Sequence, residues 1–241
     1  MNGPIFKMHC SIMKRNSWII LFGLVLAVHL LALQVGWVIP EIVTKPLIVL
    51  IAAAYFFSAT KNSSSVLKMW IGLALLFSLG GDILLMLQQT DSLFFLFGLS
   101  SFLLAHIFYI IFFHRVRLID DIKSRLWTLV VVAVYYTLLI SFLNPWLGDM
   151  RLPVRVYGVV ISFMMMLALH MLFLRNRTSG RFMSGGALLF VISDSILAIN
   201  KFYQPFEGAG LIIMLTYGLA QLFLVIGAAG YINGISSERK S

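Results

Sequence analysis

A chain of 241 residues that is 61% apolar, 11% charged and +0.98 in mean hydropathy lies far from the roughly 25% charged make-up of soluble domains, and reads as an integral membrane protein. Its single cysteine, Cys10, excludes an intramolecular disulfide, and no segment between apolar runs is long enough for a separate extramembrane domain. The net charge of +9 would point to nucleic acid in a soluble protein, but here the basic residues stand between apolar runs and suit anionic lipid heads.

In chain order, Lys7, Lys14 and Arg15 precede a first apolar run over about 17–38, too long for a signal peptide and without a clear cleavage site. Residues 40–45 read as a turn, and Pro46 as the opener of a second helix reaching about residue 60, or starting near Glu41. Further runs fall at about 67–88, 92–113, 125–143, 153–174, 182–203 and 208–231. Most reach the ~20 residues that cross a ~30 Å hydrocarbon layer. The expected fold is therefore all-α: a polytopic membrane helix bundle of eight transmembrane helices, forming one membrane-embedded domain over 1–241.

Lysine and arginine set the orientation. With the N-terminus inside, 14 of the 18 basic residues fall on the inner side, while Lys45, Arg151, Arg155 and Lys201 stay outside. Both termini are expected in the cytoplasm (N-in/C-in). In a bacterium the membrane would be the cytoplasmic one. Four spans in each half, with Pro46 and Pro153 at comparable places, are compatible with a 4+4 parallel repeat.

Two carboxylates interrupt the apolar runs: Asp82 in Phe77-Ser78-Leu79-Gly80-Gly81-Asp82-Ile83-Leu84-Leu85-Met86, and Asp194 in Phe190-Val191-Ile192-Ser193-Asp194-Ser195-Ile196-Leu197-Ala198. An ionisable group inside the bilayer is costly and marks function by default. Both host helices run the same way. At 1.5 Å per residue Asp82 lies about 10 Å below Gln89, and Asp194 and Tyr217 about 13 Å below Tyr203 and Gly208. The acids then share a depth, with Lys45, Asn200 and Lys201 above them. Structural hydrogen bonding between helices is the plain alternative for either acid alone. Two at one depth favour chemistry, since carboxyls sharing a dry site hold one proton and one charge between them.

His106, striped with Phe102, Tyr109 and Phe113, reads as a hydrogen-bonded interior residue. No second His or Cys stands within two turns of it, so no metal site is expected. Met164-Met165-Met166 reads as adaptable packing. No GxSxG, P-loop or GxGxxG occurs, so no serine-lipase chemistry, nucleotide hydrolysis or cofactor is expected.

Several segments together resemble the YhhN-like lysoplasmalogenase family of multi-pass membrane proteins. They are Thr44-Lys45-Pro46-Leu47, Phe77 through Asp82, Phe97-Gly98-Leu99-Ser100-Ser101-Phe102-Leu103-Leu104-Ala105-His106, Tyr157, Gly186 through Asp194, Asn200-Lys201-Phe202, and Thr216-Tyr217 with Gln221. The resemblance implies an ether-bond hydrolase that splits the vinyl ether of a lysoplasmalogen, giving a fatty aldehyde and glycerophospho-ethanolamine or -choline. The residues suit that chemistry. Protonating the β-carbon makes an oxocarbenium ion that water captures, a task for one acid and one anion. Asp82 and Asp194 are the candidate catalytic pair, with their individual roles open. Lys45, Ser78, Ser193, Asn200, Tyr217, Gln221 and His106 are the candidate substrate-binding residues, Lys45 meeting the phosphate together with Lys201. A proton-coupled transporter and a non-catalytic lipid-binding protein remain the alternatives. Broken helices would favour the transporter, and only Gly80-Gly81 offers a break.

Overall fold

The computed structural model describes residues 4–91 and 93–238, in which eight helices are long and apolar enough to cross a membrane. They are α1 (Pro4–Val35), α2 (Val38–Ala59), α3 (Leu67–Met86), α4 (Leu93–Ile119), α5 (Leu126–Leu143), α6 (Arg151–His170), α7 (Arg177–Ala198) and α8 (Ala209–Glu238). No strand occurs among the described residues. Leu138, Ile20, Leu152 and Leu126 are more than 60% exposed. Such an outer face is a fault in water but matches lipid tails.

The helix ends differ from the sequence reading in instructive ways. Gly36, at φ +75°, closes α1, and the Trp37 N–H turns back to the Ala32 carbonyl at 2.9 Å. Helix α2 therefore starts at Val38, and residues 40–45 are helical rather than a turn. Pro40 occupies the first turn, where no N–H is needed, while Pro46 lies inside the helix instead of opening it. Helix α7 starts at Arg177, five residues early, because the Asn176 side chain accepts from the Ser179 N–H at 3.1 Å. Charged residues at the ends of α4 and α8 likewise continue the helices rather than stopping them.

Close approach of two helix pairs positions the acids. A Cβ on Gly81 would stand 2.5 Å from the Phe102 ring, so only glycine lets α3 lie this near α4. A Cβ on Gly186 would stand 2.9 Å from the Leu224 backbone nitrogen, which sets the same condition for α7 and α8. Small residues at such contacts replace the hydrophobic drive that lipid removes. Helix α4 also packs on α6, and α8 on α2, so α4 and α8 carry the centre of the bundle. Helix α5 buries only Thr128, Val132 and Leu143 and lies at the edge. Helix α3 runs unbroken through Gly80 and Gly81, whereas α7 passes into a π-helical turn, Ile199–Tyr203, shortly after Asp194. Each acid thus has an irregular turn starting five residues on, a 3-10 turn (Leu87–Gln89) after Asp82 and the π turn after Asp194.

Candidate active site

Asp194 sits on α7 with its side chain 14% exposed. The Tyr157 hydroxyl from α6 donates to Asp194 Oδ2, and His106 Nε2 from α4 stands 3.3 Å from the same oxygen and 3.3 Å from the tyrosine hydroxyl. The hydroxyl has one hydrogen and spends it on the carboxylate, so the simplest assignment places the imidazole hydrogen on Nε2. Nδ1, on the other side of the ring, is buried and has no partner. Both contacts fall on Oδ2, and Oδ1 makes none among the described residues. Next in sequence, Ser195 Oγ lies 2.7 Å from the Tyr135 hydroxyl, which ties α5 to this group.

A small pocket reaches Asp194 and Tyr157. Its other walls are apolar, among them Leu85, Phe95, Phe102, Leu197 and Phe202. In so dry a setting, charges and dipoles act more strongly than in water.

Asp82 is arranged differently. It is 2% exposed and accepts from the Tyr217 hydroxyl at 2.8 Å. Gln221 Nε2 donates to that hydroxyl at 3.2 Å, and the Tyr109 hydroxyl donates to Gln221 Oε1 at 3.1 Å. The order Tyr109, Gln221, Tyr217, Asp82 is thus a one-way line of donors ending on a carboxylate. Between the two groups stand Phe102 and Phe190. Phe190 meets His106 edge-on at 4.7 Å and Tyr217 at 5.4 Å.

The YhhN family profile matches residues 41–228. The chain belongs to the YhhN family. Human lysoplasmalogenase TMEM86B is 29% identical over 234 residues, covering 94% of this chain and 93% of its own. Human lysoplasmalogenase TMEM86A is 34% identical over 168 residues (68% and 66%), and a lysoplasmalogenase of Mycobacterium bovis 31% over 163 (66% and 60%). No solved structure matches the chain. The family match spans both acids and every side chain of the two arrays.

The residues singled out from sequence divide into three sets. His106 joins Asp194, and Tyr217 and Gln221 join Asp82. Ser78, one turn before Asp82, is buried with an unpartnered hydroxyl, and Lys45 stands on α2, one residue after the buried Thr44. Ser193 and Asn200 are engaged elsewhere: Ser193 Oγ donates to the Ile213 carbonyl at 3.0 Å, and Asn200 Oδ1 accepts the Phe206 N–H at 3.1 Å. Tyr157, Tyr109 and Tyr135 were absent from the candidate list. Tyr157 had a signal, as one of the residues carrying the family resemblance. Tyr109 stood on the His106 stripe, and Tyr135 had none. Among the described residues, no group of three or more His, Cys, Asp or Glu gathers as metal ligands.

Proposed function

We propose that the protein is a lysoplasmalogenase, a hydrolase that cleaves the vinyl ether bond of a lysoplasmalogen to a fatty aldehyde and a glycerophospho-ethanolamine or -choline. The observation that carries this is Asp194 on the floor of an apolar pocket, with Tyr157 and His106 on one oxygen and the other oxygen unengaged. The relatives named lysoplasmalogenase support the same reading.

In this proposal Asp194 holds the working proton on Oδ1 and delivers it to the β-carbon of the vinyl ether. The π electrons form the new C–H bond, and the ether oxygen lone pair makes the α-carbon an oxocarbenium ion. The carboxylate left behind, steadied by Tyr157 and His106, faces that cation. Water adds to the α-carbon and returns a proton to Asp194, giving a hemiacetal. The hemiacetal C–O bond to glycerol then breaks, its hydroxyl proton passing to the departing oxygen, and the aldehyde is released. Protons and water balance with no redox step. Asp82, behind the aromatic pair and held by Tyr217, is the anion that acts on Asp194 through space.

The π turn beside Asp194 is also the sort of irregularity that a proton-coupled carrier would use. Purified protein in detergent micelles, given 1-alkenyl-glycerophosphoethanolamine, separates the two. Stoichiometric release of aldehyde and glycerophosphoethanolamine is expected. Substrate recovered intact, with proton-driven flux in proteoliposomes, would make the carrier the right reading.

A further inference from the structure

We propose that Lys201 is the phosphate-binding residue of the Asp194 pocket, taking the phosphodiester of a lysophospholipid; the inference rests on the lysoplasmalogenase reading above. Lys201 lies in the π turn that continues α7. The neighbouring Phe202 forms one pocket wall and meets Phe95, another wall, edge-to-face at 5.8 Å. The Lys201 ammonium stands 4.8 Å from the centre of the Phe95 ring and donates to Gln88 Oε1 at 3.2 Å. It is thereby held against the outside of the pocket wall. An ammonium has three N–H donors and Gln88 uses one. Among the described residues no carboxylate lies within ion-pair distance of it, so its charge is uncompensated.

Dimensions fit a lysolipid. Lys201 follows Asp194 by seven residues, an axial separation of about 10 Å at helical rise. In the substrate, six bonds join the vinyl ether α-carbon to phosphorus. At ~3.8 Å per three extended bonds they span roughly 7.5 Å. A phosphate oxygen and a charge-assisted hydrogen bond of ~2.8 Å bring the reach to about 10–12 Å. With the vinyl ether at Asp194, the phosphate therefore arrives at Lys201. Lys201 is also two residues from the end of its span, Arg177–Tyr203, where lipid phosphates lie. A lysolipid can then offer its ether to Asp194 without leaving its natural depth.

Two of the other cations expected on this side are placed differently. Lys45 belongs to α2, which supplies no wall of this pocket, whereas Lys201 stands against the wall residue Phe95 and precedes the wall residue Phe202. Arg155 Nη2 is bound to Asn144 Oδ1 at 2.6 Å. Lys201 therefore reads the phosphate, which ethanolamine and choline head groups share, and does not separate the two.

The test compares 1-alkenyl-glycerophosphoethanolamine with phosphate-free 1-alkenyl-glycerol on wild type and Lys201→Ala, Lys201→Arg and Arg155→Ala variants of the full chain. Lys201 is exposed, so its replacement leaves the fold intact. Lys201→Ala should lower kcat/KM on the phospholipid ~10–100-fold, mainly through KM, as expected for one charge-assisted contact. Lys201→Arg should restore most of it, and Arg155→Ala should change neither substrate. Turnover of 1-alkenyl-glycerol should be unaffected by any of them. Equal losses on both substrates, or no loss, would overturn the assignment. Binding of the uncleavable 1-alkyl-glycerophosphoethanolamine is measured alongside. Should wild type cleave neither vinyl ether, the enzyme reading fails, and weaker binding of this analogue to Lys201→Ala than to wild type would still uphold the phosphate site, while equal binding would sink it.

Discussion

The two membrane acids share a local pattern, a small residue before the carboxylate and an aliphatic pair within the next three residues, yet their surroundings differ in kind. Asp82 is sealed at 2% exposure and terminates a line of three donors from two other helices. Asp194 is on a pocket floor, shares one oxygen between a tyrosine and a histidine, and leaves the second oxygen unengaged. A carboxylate whose partners are all protein is equipped to be a fixed charge. One that lines a pocket and keeps an oxygen unengaged is equipped to exchange a proton with a ligand. The comparison teaches that a motif in a membrane helix announces cost, and that only the neighbours decide what the cost serves.

The sharpest way to break this comparison is to neutralise each acid. Asp194→Asn should reduce kcat by ~10²–10⁴-fold, the usual range for a lost general acid, with thermal stability held or raised because an ionisable group in the bilayer gives way to one that cannot ionise. Asp82→Asn should cost less, about 10–100-fold, since the Tyr217 hydroxyl can still donate to an amide oxygen and only the charge is lost. The double variant should resemble Asp194→Asn alone, as groups acting together are not additive. Aldehyde release by matched, thermally characterised variants measures all three. Equal losses at the two positions would mean that Asp82 also touches substrate.

A finer cut falls on the tyrosines. Tyr157→Phe removes a hydrogen bond to a charged group, worth ~1.5–3 kcal/mol, and should lower kcat by roughly tenfold or more with KM little changed. Tyr217→Phe should lower kcat less, because its partner is remote from the pocket. If the Tyr217 variant proved the worse of the two, the roles assigned to the acids would have to be exchanged.

The smallest effect expected is at Ser193, which precedes Asp194 but points its hydroxyl at the Ile213 carbonyl. Ser193→Ala should cost about 0.6 kcal/mol, the mean for an interhelical hydrogen bond in a membrane, and leave kcat unchanged. A fall in kcat at unchanged melting temperature would move Ser193 into the site.

Sequence by itself determined the eight apolar helices and singled out the two acids within them, because a ~30 Å apolar layer imposes a length and leaves charged residues conspicuous. It also pointed to the family, through Asp82, His106 and Asp194 in order. It misplaced the turn before α2 and the break offered at Gly80-Gly81, since proline and glycine mark where a helix can break while neighbours decide whether it does, as Pro46 within α2 and the unbroken Gly80-Gly81 show. Which residue faces which was decided only by the tertiary structure. A helix apolar on all sides carries no stripe that states its rotation, and one residue of rotation turns a side chain by about 100°. The close approach at Gly81 and Gly186 set those rotations, giving Asp194 to Tyr157 and His106 and Asp82 to Tyr217 across distances in sequence that no local pattern spans.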